Sequence, residues 1–276
     1  MEGKIVFIGP GVMAEAMCSG LIERGGMEPA AILMSGPEQD RLDELAEKYG
    51  VKTTTENREA VDKGKVIVLS IKPQRLGDVL KELSGSIPAE AVVLSIVAGA
   101  RLGTMSDELQ HKAVVRAMPN TPAQVGEGIT VWTTTETTTP EQKECAGFIL
   151  KALGKEIHVD DEEYLDMATA LSGTGPAYVF LFMEAMVDAG VHLGFPRRIS
   201  EELVVQTIKG SVAYYESHPN HMARLKNQVT SPGGTSAEAL YYLEKAGFRT
   251  ALSRAIWAAY ERSVQLGEGK KRKTDV

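Results

Sequence analysis

The feature that most constrains this chain is a turn near its start, Gly9-Pro10-Gly11-Val12-Met13-Ala14. A strand-like run, Lys4–Ile8, precedes the turn, and a helix-like run from Met13 to Arg24 follows it. The pattern G-x-G-x-x-A between a strand and a helix is typical of a dinucleotide-binding βαβ unit. Many strand–turn–helix segments contain two glycines, so the pattern alone is weak. Its position at the head of alternating strands and helices favours cofactor binding over a bare structural turn.

Each position of this turn has a physical role in the predicted cofactor site. Gly9 permits the tight turn out of the strand, and Gly11 lets the backbone approach a pyrophosphate because it has no Cβ. Ala14 is small enough for the helix to lie close to the strand. Val12 and Met13 open the helix, whose free N–H groups and positive dipole end attract phosphates.

Composition restricts the class of protein. The 276 residues suggest one large domain or two ordinary ones, and the net charge of −7 argues against a nucleic-acid-binding surface. Cys18 and Cys145 lie in helical patterns and are interpreted as buried free thiols in a reducing, cytoplasmic setting. The scattered histidines predict no metal site.

No targeting segment is evident, since the chain enters a strand almost at once. The longest uncharged stretch, Met167 to Met183, is short for a membrane span and contains glycines and a proline. A soluble, cytoplasmic protein is therefore expected. The basic run after Glu268 is interpreted as a solvated end.

Strand and helix patterns alternate from residue 1 to about residue 160. The predicted strands are Lys4–Ile8, Ala31–Ser35, Val51–Thr53, Val66–Ser70, Val92–Ile96, Ala113–Met118, Ile129–Trp132 and Glu156–Val159. The central strands are continuous apolar runs, as expected when helices cover both faces of a parallel sheet. The threonine-rich stretch Thr133–Thr139 is predicted to be a polar loop. The expected fold is α/β, a Rossmann-type, doubly wound and mainly parallel sheet.

Beyond His158 the pattern is helical only. The predicted helices are Glu162–Leu171, Ala177–Leu193, Arg198–Ser217, Ala223–Val229, Ala237–Lys245 and Thr250–Leu266. This change places the domain boundary between a dinucleotide-binding domain, 1–160, and an all-helical domain, 161–276. The run Tyr178–Met183 is apolar on all sides, which predicts that a second subunit covers it and that the chain forms a dimer. Core packing within one large subunit is the alternative.

Cofactor-binding candidates follow the ends of the predicted strands, where ligands bind in open α/β sheets. Ser35 ends the second strand where an acidic residue would select NAD, and with Arg41 nearby it favours NADP(H). Glu38 and Asp40 weaken that inference, and Ser35 could instead cap the next helix.

Three further strand ends supply the remaining candidates, and a purely structural role is the alternative for the first and the last of them. They are Lys72 with Pro73, Ala98 with Gly99, and Asn120 with Thr121 in a loop bounded by two prolines, where a nicotinamide could lie.

Two glycine-rich breaks interrupt the helical half, Leu171–Ala177 and Thr230–Ser236. Both lead directly into helices, and both offer hydroxyls and open N–H groups that could bind a carboxylate without a basic side chain. Ordinary helix capping would use the same residues. Catalytic triads, nucleophile elbows and phosphate-binding P-loops are missing from the sequence.

Five of these motifs, taken in order, make the chain resemble the Δ1-pyrroline-5-carboxylate reductases. They are Gly9-x-Gly11-x-Met13-Ala14, Ile71-Lys72-Pro73, Arg116-Ala-Met-Pro-Asn120-Thr121-Pro122, Leu171-Ser-Gly-Thr-Gly-Pro-Ala177 and Ser231-Pro-Gly-Gly-Thr-Ser236. The last two are specific to that family, and the resemblance extends to about Gly267. It implies reduction of 1-pyrroline-5-carboxylate to L-proline with NADPH or NADH, and a dimer through the helical domains that commonly assembles into a decamer.

The resemblance also implies roles for residues. Asn57 is expected beside the adenosine ribose with Ser35, and Ser231, Gly233, Gly234, Thr235 and Ser236 are expected to bind the substrate. The amides of Gly234 and Thr235 would bind its carboxylate, and the Ser236 hydroxyl would hydrogen-bond the ring nitrogen as the catalytic donor. The family often has threonine at this last position. The adenosine end lacks the basic residue of some NADP-preferring members, so NAD(H) stays the second candidate cofactor.

Two other functions are compatible with a chain of this build. A hydroxyacid dehydrogenase of similar build would need a lysine in the first long helix of the helical domain, and Ala177–Leu193 contains none. A nucleotide-sensing module without turnover would not need the second, small-molecule site that the paired glycine-rich breaks indicate.

Overall fold

The computed structural model of the protein describes residues 3–268, and the basic run from residue 269 onward lies outside them. Eight strands form one sheet: β1 Lys4–Ile8, β2 Ile32–Ser35, β3 Lys52–Thr54, β4 Gly64–Leu69, β5 Val92–Ser95, β6 Val114–Met118, β7 Gly128–Thr134 and β8 Gly154–His158. The order is β3-β2-β1-β4-β5-β6-β7-β8. All pairs are parallel except β6 with β7. The predicted doubly wound, mainly parallel sheet is confirmed.

The order of the strands reverses between β1 and β4, whose last residues Ile8 and Leu69 are paired. In an open α/β sheet such a switch point leaves a crevice at the carboxyl ends of the strands. The turn that begins at Gly9 leaves from this point, so the fold places it where a dinucleotide binds.

Twelve helices complete the described chain, together with short 3₁₀ turns and a π-helical segment, Thr169–Gly173. They are α1 Val12–Glu23, α2 Gln39–Tyr49, α3 Asn57–Val61, α4 Leu76–Leu83, α5 Leu102–Leu109, α6 Pro140–Lys151, α7 Glu163–Ala168, α8 Gly175–His192, α9 Arg197–Ser217, α10 Met222–Gln228, α11 Thr235–Lys245 and α12 Phe248–Gly267.

Helices cover both faces of the sheet because successive strand residues point to opposite sides. Ile5 and Phe7 of β1 pack with buried residues of α1, α2 and α6, whereas Val6 and Ile8 pack with residues of α3, α4 and α5. Each face therefore has its own apolar core. The two cysteines are buried and free, as expected.

The prediction of a loop over Thr133–Thr139 was wrong at its start, because β7 extends through Thr134. Threonine is β-branched and packs well in strands, and Thr134 pairs with Val115 of β6. Thr139 ends the segment as the N-cap of α6, in a capping box with Gln142.

The chain divides into two compact units after Gly175, and from Ala259 it returns to the first unit. The predicted boundary lay near residue 160. The difference has a physical cause, since α7 is tied to the sheet by an ion pair between Asp166 and Arg116 of β6 at 3.0 Å. Ser263 of α12 also donates to Asp166, at 2.8 Å.

The second unit, Pro176–Ala258, is helical and has very little interior of its own. Its buried residues are Val187, Ser200 and Val204. Large apolar side chains are exposed along α8, among them Phe180 at 60% and Leu181 at 67%. Such a surface is typical of a chain whose helices pack against a partner.

The helical segment Glu163–His192 is long and apolar enough to cross a membrane by length and composition alone. A helix that pairs with another protein surface passes the same test. Asp166, which lies in this segment, pairs with Arg116 of β6 in the first unit.

Candidate active site

The glycine turn adopts the backbone that its sequence predicts. Gly9 has φ +96°, which side chains rarely tolerate, and a Cβ there would lie 2.9 Å from the Ser70 carbonyl oxygen. The Gly9 amide donates to the Ser35 carbonyl at 2.8 Å, and the Ser70 hydroxyl donates to the Gly9 carbonyl at 2.7 Å. The turn is thereby fixed to the ends of β2 and β4.

Among the described residues, none packs closely enough on Gly11 to exclude a side chain there. Its φ is −78°, and a Cβ there would meet no atom nearer than the Ser70 carbonyl oxygen at 3.8 Å. Gly11 is also the N-cap of α1, which has no side-chain cap, so the first amides of α1 are left for another acceptor. Val12 is 61% exposed beside them, whereas Ala14 is fully buried against the sheet. An open surface above free amides fits a pyrophosphate.

Polar side chains around Glu15 of α1 hold this turn in place through hydrogen bonds and ion pairs. Arg41 donates from Nε to the Pro10 carbonyl at 3.2 Å and pairs with Glu15 of α1. Lys48 and Tyr49 each donate to Glu15 at 2.8 Å. Burial opposes ionisation of Glu15, but these hydrogen bonds outweigh it and lower its pKa to about 2. Arg41, weighed above as a possible phosphate ligand, is thus already neutralised by Glu15.

The two residues expected beside the adenosine ribose lie together. The Ser35 hydroxyl donates to Asn57 Oδ1 at 2.7 Å, and Asn57 Nδ2 donates to Glu82 Oε2 at 3.0 Å. Ser35 is fully buried, whereas Asn57 is partly exposed. Asn57 therefore presents the accessible polar surface, and Ser35 orients it.

The ends of β4 and β5 carry the next candidates. Lys72 and Pro73 are exposed at the start of a 3₁₀ turn after β4. After β5, Ala98 and Gly99 form a turn closed by a hydrogen bond from the Ala100 amide to the Val97 carbonyl, and Gly99 has φ +76°. Both sites lie at the carboxyl edge of the sheet, as predicted from the strand pattern.

The loop after β6 is braced by Asn120. Its Oδ1 accepts from the Ile129 amide at 3.0 Å, and its Nδ2 donates to the Ser172 carbonyl at 3.2 Å. Both polar atoms of the carboxamide make a hydrogen bond within the protein, so Asn120 shapes the loop, and the neighbouring Thr121 is exposed.

The second glycine-rich break forms a Pro-Gly turn at the start of α11. Gly233 has φ +70°, and the Gly234 amide donates to the Ser231 carbonyl at 3.0 Å, which is the geometry of a type II turn. Because the Gly234 amide is engaged, the donor pair expected at Gly234 and Thr235 is displaced by one residue. Within the described residues the amides of Thr235 and Ser236 have no partner.

Ser236 has a free hydroxyl. It makes no hydrogen bond to any described residue, and α11 is capped by Gly234 without a side-chain bond. The half-buried Ser236 is therefore not the N-cap, contrary to the capping alternative. Its hydroxyl and the two free amides converge at one helix N-terminus, where an anion is favoured.

The first glycine-rich break differs in this respect. The hydroxyls of Ser172 and Thr174 donate to the carbonyls of Ala168 and Thr169, at 3.0 Å and 2.8 Å. The break is a π-helical segment whose hydroxyl hydrogens bond to the helix itself, so they are committed. Only the second break offers uncommitted hydroxyl and amide donors together.

Sequence reasoning missed a group of buried charges around Arg116 of β6. Arg116 was noted only as part of a motif, yet it pairs with Asp166 and Glu162 at 3.0 Å and 2.9 Å. The signal was an arginine inside the apolar strand Val114–Met118, because a buried arginine requires a buried acid.

Proteins of known function resemble this chain over nearly its whole length. A pyrroline-5-carboxylate reductase of Synechocystis sp. is 40% identical over 268 residues, covering 97% of this chain and 100% of the relative. The chain belongs to the pyrroline-5-carboxylate reductase family. The resemblance inferred from five motifs is confirmed, and the hydroxyacid dehydrogenase alternative is set aside.

Solved structures of pyrroline-5-carboxylate reductases have the same fold. The Plasmodium falciparum enzyme with NADP bound superposes with a TM-score of 0.88 at 32% identity, covering 96% of this chain and 98% of that one. The Coxiella burnetii enzyme gives a TM-score of 0.88 at 35% identity, covering 99% and 100%.

Two family models divide the chain as the motifs do. Residues 4–99 match the description "NADP oxidoreductase coenzyme F420-dependent", and residues 162–266 match "Pyrroline-5-carboxylate reductase dimerisation". The second match supports self-association through the helical region.

Proposed function

We propose that this chain reduces 1-pyrroline-5-carboxylate to L-proline with a hydride from NADPH or NADH, the last step of proline biosynthesis. The observation that carries the proposal is the start of α11, where the amides of Thr235 and Ser236 and the Ser236 hydroxyl are all free. A carboxylate with a ring nitrogen close to it matches this set of donors. Family membership supports the same substrate.

The chemistry requires few groups from the protein. A protonated cyclic imine is already electrophilic, so its reduction needs orientation and a carboxylate anchor rather than a nucleophile. The Thr235 and Ser236 amides bind the carboxylate, and the turn at Gly233 and Gly234 leaves room for it. The Ser236 hydroxyl hydrogen-bonds the ring nitrogen and, being neutral, can accept a hydrogen bond from the product amine as well.

NADP(H) is the proposed cofactor, with NAD(H) as the second choice. Gly9, Gly11, Val12, Met13 and Ala14 would hold the pyrophosphate, as the open surface above Gly11 allows. Ser35 with Asn57 would bind the adenosine ribose, and Lys72, Pro73, Ala98, Gly99, Asn120 and Thr121 would line the remaining length. When bound, the cofactor supplies the hydride. Because position 35 is a serine and not an acidic residue, this end of the site favours the 2′-phosphate of NADP(H).

The decisive experiment follows reduced-nicotinamide absorbance with pyrroline-5-carboxylate and with a panel of 2-keto and 3-keto acids. Oxidation of NADPH with pyrroline-5-carboxylate alone, and proline as product, is the expected result. Turnover of a keto acid at a comparable rate would contradict the substrate assignment. Binding of NADPH without any turnover would favour the nucleotide-sensing alternative.

The assembly and setting belong to the same proposal. The helical region from residue 161 onward would form the dimer, because its apolar side chains are exposed in the single chain, and dimers would assemble further into a decamer. Pairing of α8 with a second copy would cover the surface that otherwise resembles a membrane span. A cytoplasmic protein without membrane or nucleic-acid partners agrees with the free cysteines and the net charge of −7.

A further inference from the structure

A group of buried charges lies at the carboxyl end of β6. The side chains of Arg116 and Asp166 are only 3% and 2% exposed. Arg116 donates from one nitrogen to Asp166 Oδ1 at 3.0 Å and from the other to Glu162 Oε1 at 2.9 Å. A buried ion pair is often no more stabilising than well-packed apolar residues of similar volume, so the presence of these charges is weak evidence for a role in stability. Their geometry calls for another explanation.

The two carboxylates collect donors from separate parts of the first unit. Asp166 also accepts from Ser263 Oγ at 2.8 Å and pairs with Arg101 at 3.1 Å. Glu162 accepts from the amide of Leu102, the first residue of α5, at 2.9 Å. Thus β6, the start of α5, α7 and the last turns of α12 meet at one point. Directional bonds of this kind fix position.

Both cofactor loops proposed above leave from this point. Arg101 follows Gly99 closely in the loop after β5, and Arg116 lies on the strand that leads into Asn120. A Cβ on Gly99 would lie 3.1 Å from the Gly267 amide nitrogen, so the end of α12 rests on that loop. Ser263, one turn earlier on α12, holds the same helix to Asp166.

The second loop is fixed by the same arrangement. Arg116 and Met118 are alternate residues and point to one side of β6, and Asn120 follows in the loop after the strand. Met118 packs on Gly173, because a Cβ added at Gly173 would lie 2.8 Å from the Cε atom of Met118. Asn120 donates to the Ser172 carbonyl. Arg116 thus attaches α7 to β6, whereas Met118 and Asn120 contact the segment that follows α7.

We propose that Arg116 and Asp166 are positioning residues for hydride transfer. They touch neither ligand in this assignment; they hold the loops at Ala98–Gly99 and Asn120–Thr121, and through them the nicotinamide. This rests on the proposed function, since it requires those loops to bind the cofactor. Hydride transfer depends on placement of the reacting atoms within a fraction of an ångström, so loosening the loops slows the chemical step.

The test compares Asp166→Asn, Arg116→Lys and Arg116→Gln in the full-length protein. The expected result is a fall in kcat on the order of tenfold for Asp166→Asn and Arg116→Gln, with weaker NADPH binding. Arg116→Lys should recover part of the loss because it keeps one charged bond. The KM for pyrroline-5-carboxylate should change less than twofold, since Ser231–Ser236 belongs to the second unit.

Two further readouts separate positioning from stability. The isotope effect on kcat with NADPH deuterated at the transferring position should rise, because a misplaced nicotinamide makes hydride transfer rate-limiting. Leu45→Ala, a fully buried core position on α2, is the control that lowers the melting temperature without a change in kcat or isotope effect.

The proposal is overturned if the Arg116 and Asp166 variants melt earlier yet keep the kcat, NADPH affinity and isotope effect of the unmodified protein. Ser263→Ala keeps the test conclusive if the other variants fail to fold, because it removes only one hydrogen bond to Asp166. It should show the same changes at a smaller size, and unchanged kinetics in a folded Ser263→Ala protein would also reject the proposal. NADPH affinity is also measured by fluorescence in the absence of substrate. This measurement does not depend on turnover, so a failure of the positioning role can be told apart from a failure of the reductase assignment.

Discussion

The hydroxyl of Ser35 donates a 2.7 Å hydrogen bond to Asn57 Oδ1, although one residue lies in a strand and the other in a helix. The bond joins the end of β2 to the start of α3 and leaves Asn57 as the partly exposed member of the pair. A ribose or phosphate at this edge would therefore meet Asn57 in an orientation that Ser35 sets.

Ser35→Ala tests this arrangement. Loss of the hydroxyl frees Asn57, so the KM for NADPH should rise several-fold while the KM for NADH changes less than twofold. Steady-state kinetics with both cofactors provide the measurement. Ser106→Ala is a matched control, because Ser106 also makes one partly buried hydrogen bond, at 2.8 Å to the His111 carbonyl, on a remote helix. Equal changes for the two cofactors would remove Ser35 from 2′-phosphate selection.

Ser236→Ala should lower kcat/KM with pyrroline-5-carboxylate on the order of 10²-fold, the usual effect of losing one oriented donor. Because Gly234 is the N-cap, the free energy of unfolding should fall by less than the about 1 kcal/mol of a lost cap. The measurement pairs kinetics with thermal melting. Ser236→Thr keeps the hydroxyl and should keep most activity, and unchanged kcat/KM in Ser236→Ala would reject the catalytic role.

Glu15 should give the protein a distinct acid sensitivity. Its pKa is lowered to about 2 in the folded chain from 4.5, so the folded state favours the ionised form. The stabilisation is complete above pH 4.5 and is lost as pH falls toward 2. Glu15→Gln should therefore be less stable at pH 7 by on the order of 1 kcal/mol.

The comparison is made by denaturant unfolding across that pH range. The difference between Glu15→Gln and the unmodified protein should shrink as pH falls from 4.5 toward 2. A difference that stays constant over the whole range would show that the charge of Glu15 contributes nothing. Glu44→Gln is the control, because Glu44 is more exposed and pairs only with Arg41.

The exposed apolar face of α8 predicts an obligate dimer. Leu181→Glu places a charge on a side chain that is 67% exposed in the single chain, and it should raise the dissociation constant at least tenfold if that face is an interface. Light scattering at low micromolar concentration measures the mass. Lys81→Glu, an exposed change in the first unit, should leave the dimer intact, and a stable folded monomer of the unmodified chain would contradict the prediction.

Local patterns were sufficient for most of the sheet and helices. The buried strands are apolar runs, and Gly9 and Gly11 predict the turn between β1 and α1 through properties that only glycine has. The two glycine-rich breaks, however, have similar sequences and predict the same kind of site. What separates them is that Ser172 and Thr174 donate to helix carbonyls whereas the Ser236 hydroxyl does not, and this depends on a π-helical turn that no local pattern signals.

The charges around Arg116 were beyond sequence reasoning for a different reason. A buried arginine demands an acid, but its partners Glu162 and Asp166, and the Ser263 hydroxyl that donates to Asp166, are supplied by remote parts of the chain. Pairing of this kind is a property of tertiary packing. The domain boundary shifted for the same reason, since α7 looks like part of the helical half until its contacts with β6 are known.

The return of α12 to the first unit has a consequence for synthesis of the protein. Ser263 leaves the ribosome only after the whole of Pro176–Ala258 has been made. Until then, Asp166 in the nascent first unit lacks one of its hydrogen-bond donors. Co-translational folding of the dinucleotide-binding half is therefore completed late, in contrast to chains whose first domain closes by itself. A ribosome that stalls within the second unit would release a half-finished first unit, a natural target for chaperones and proteases.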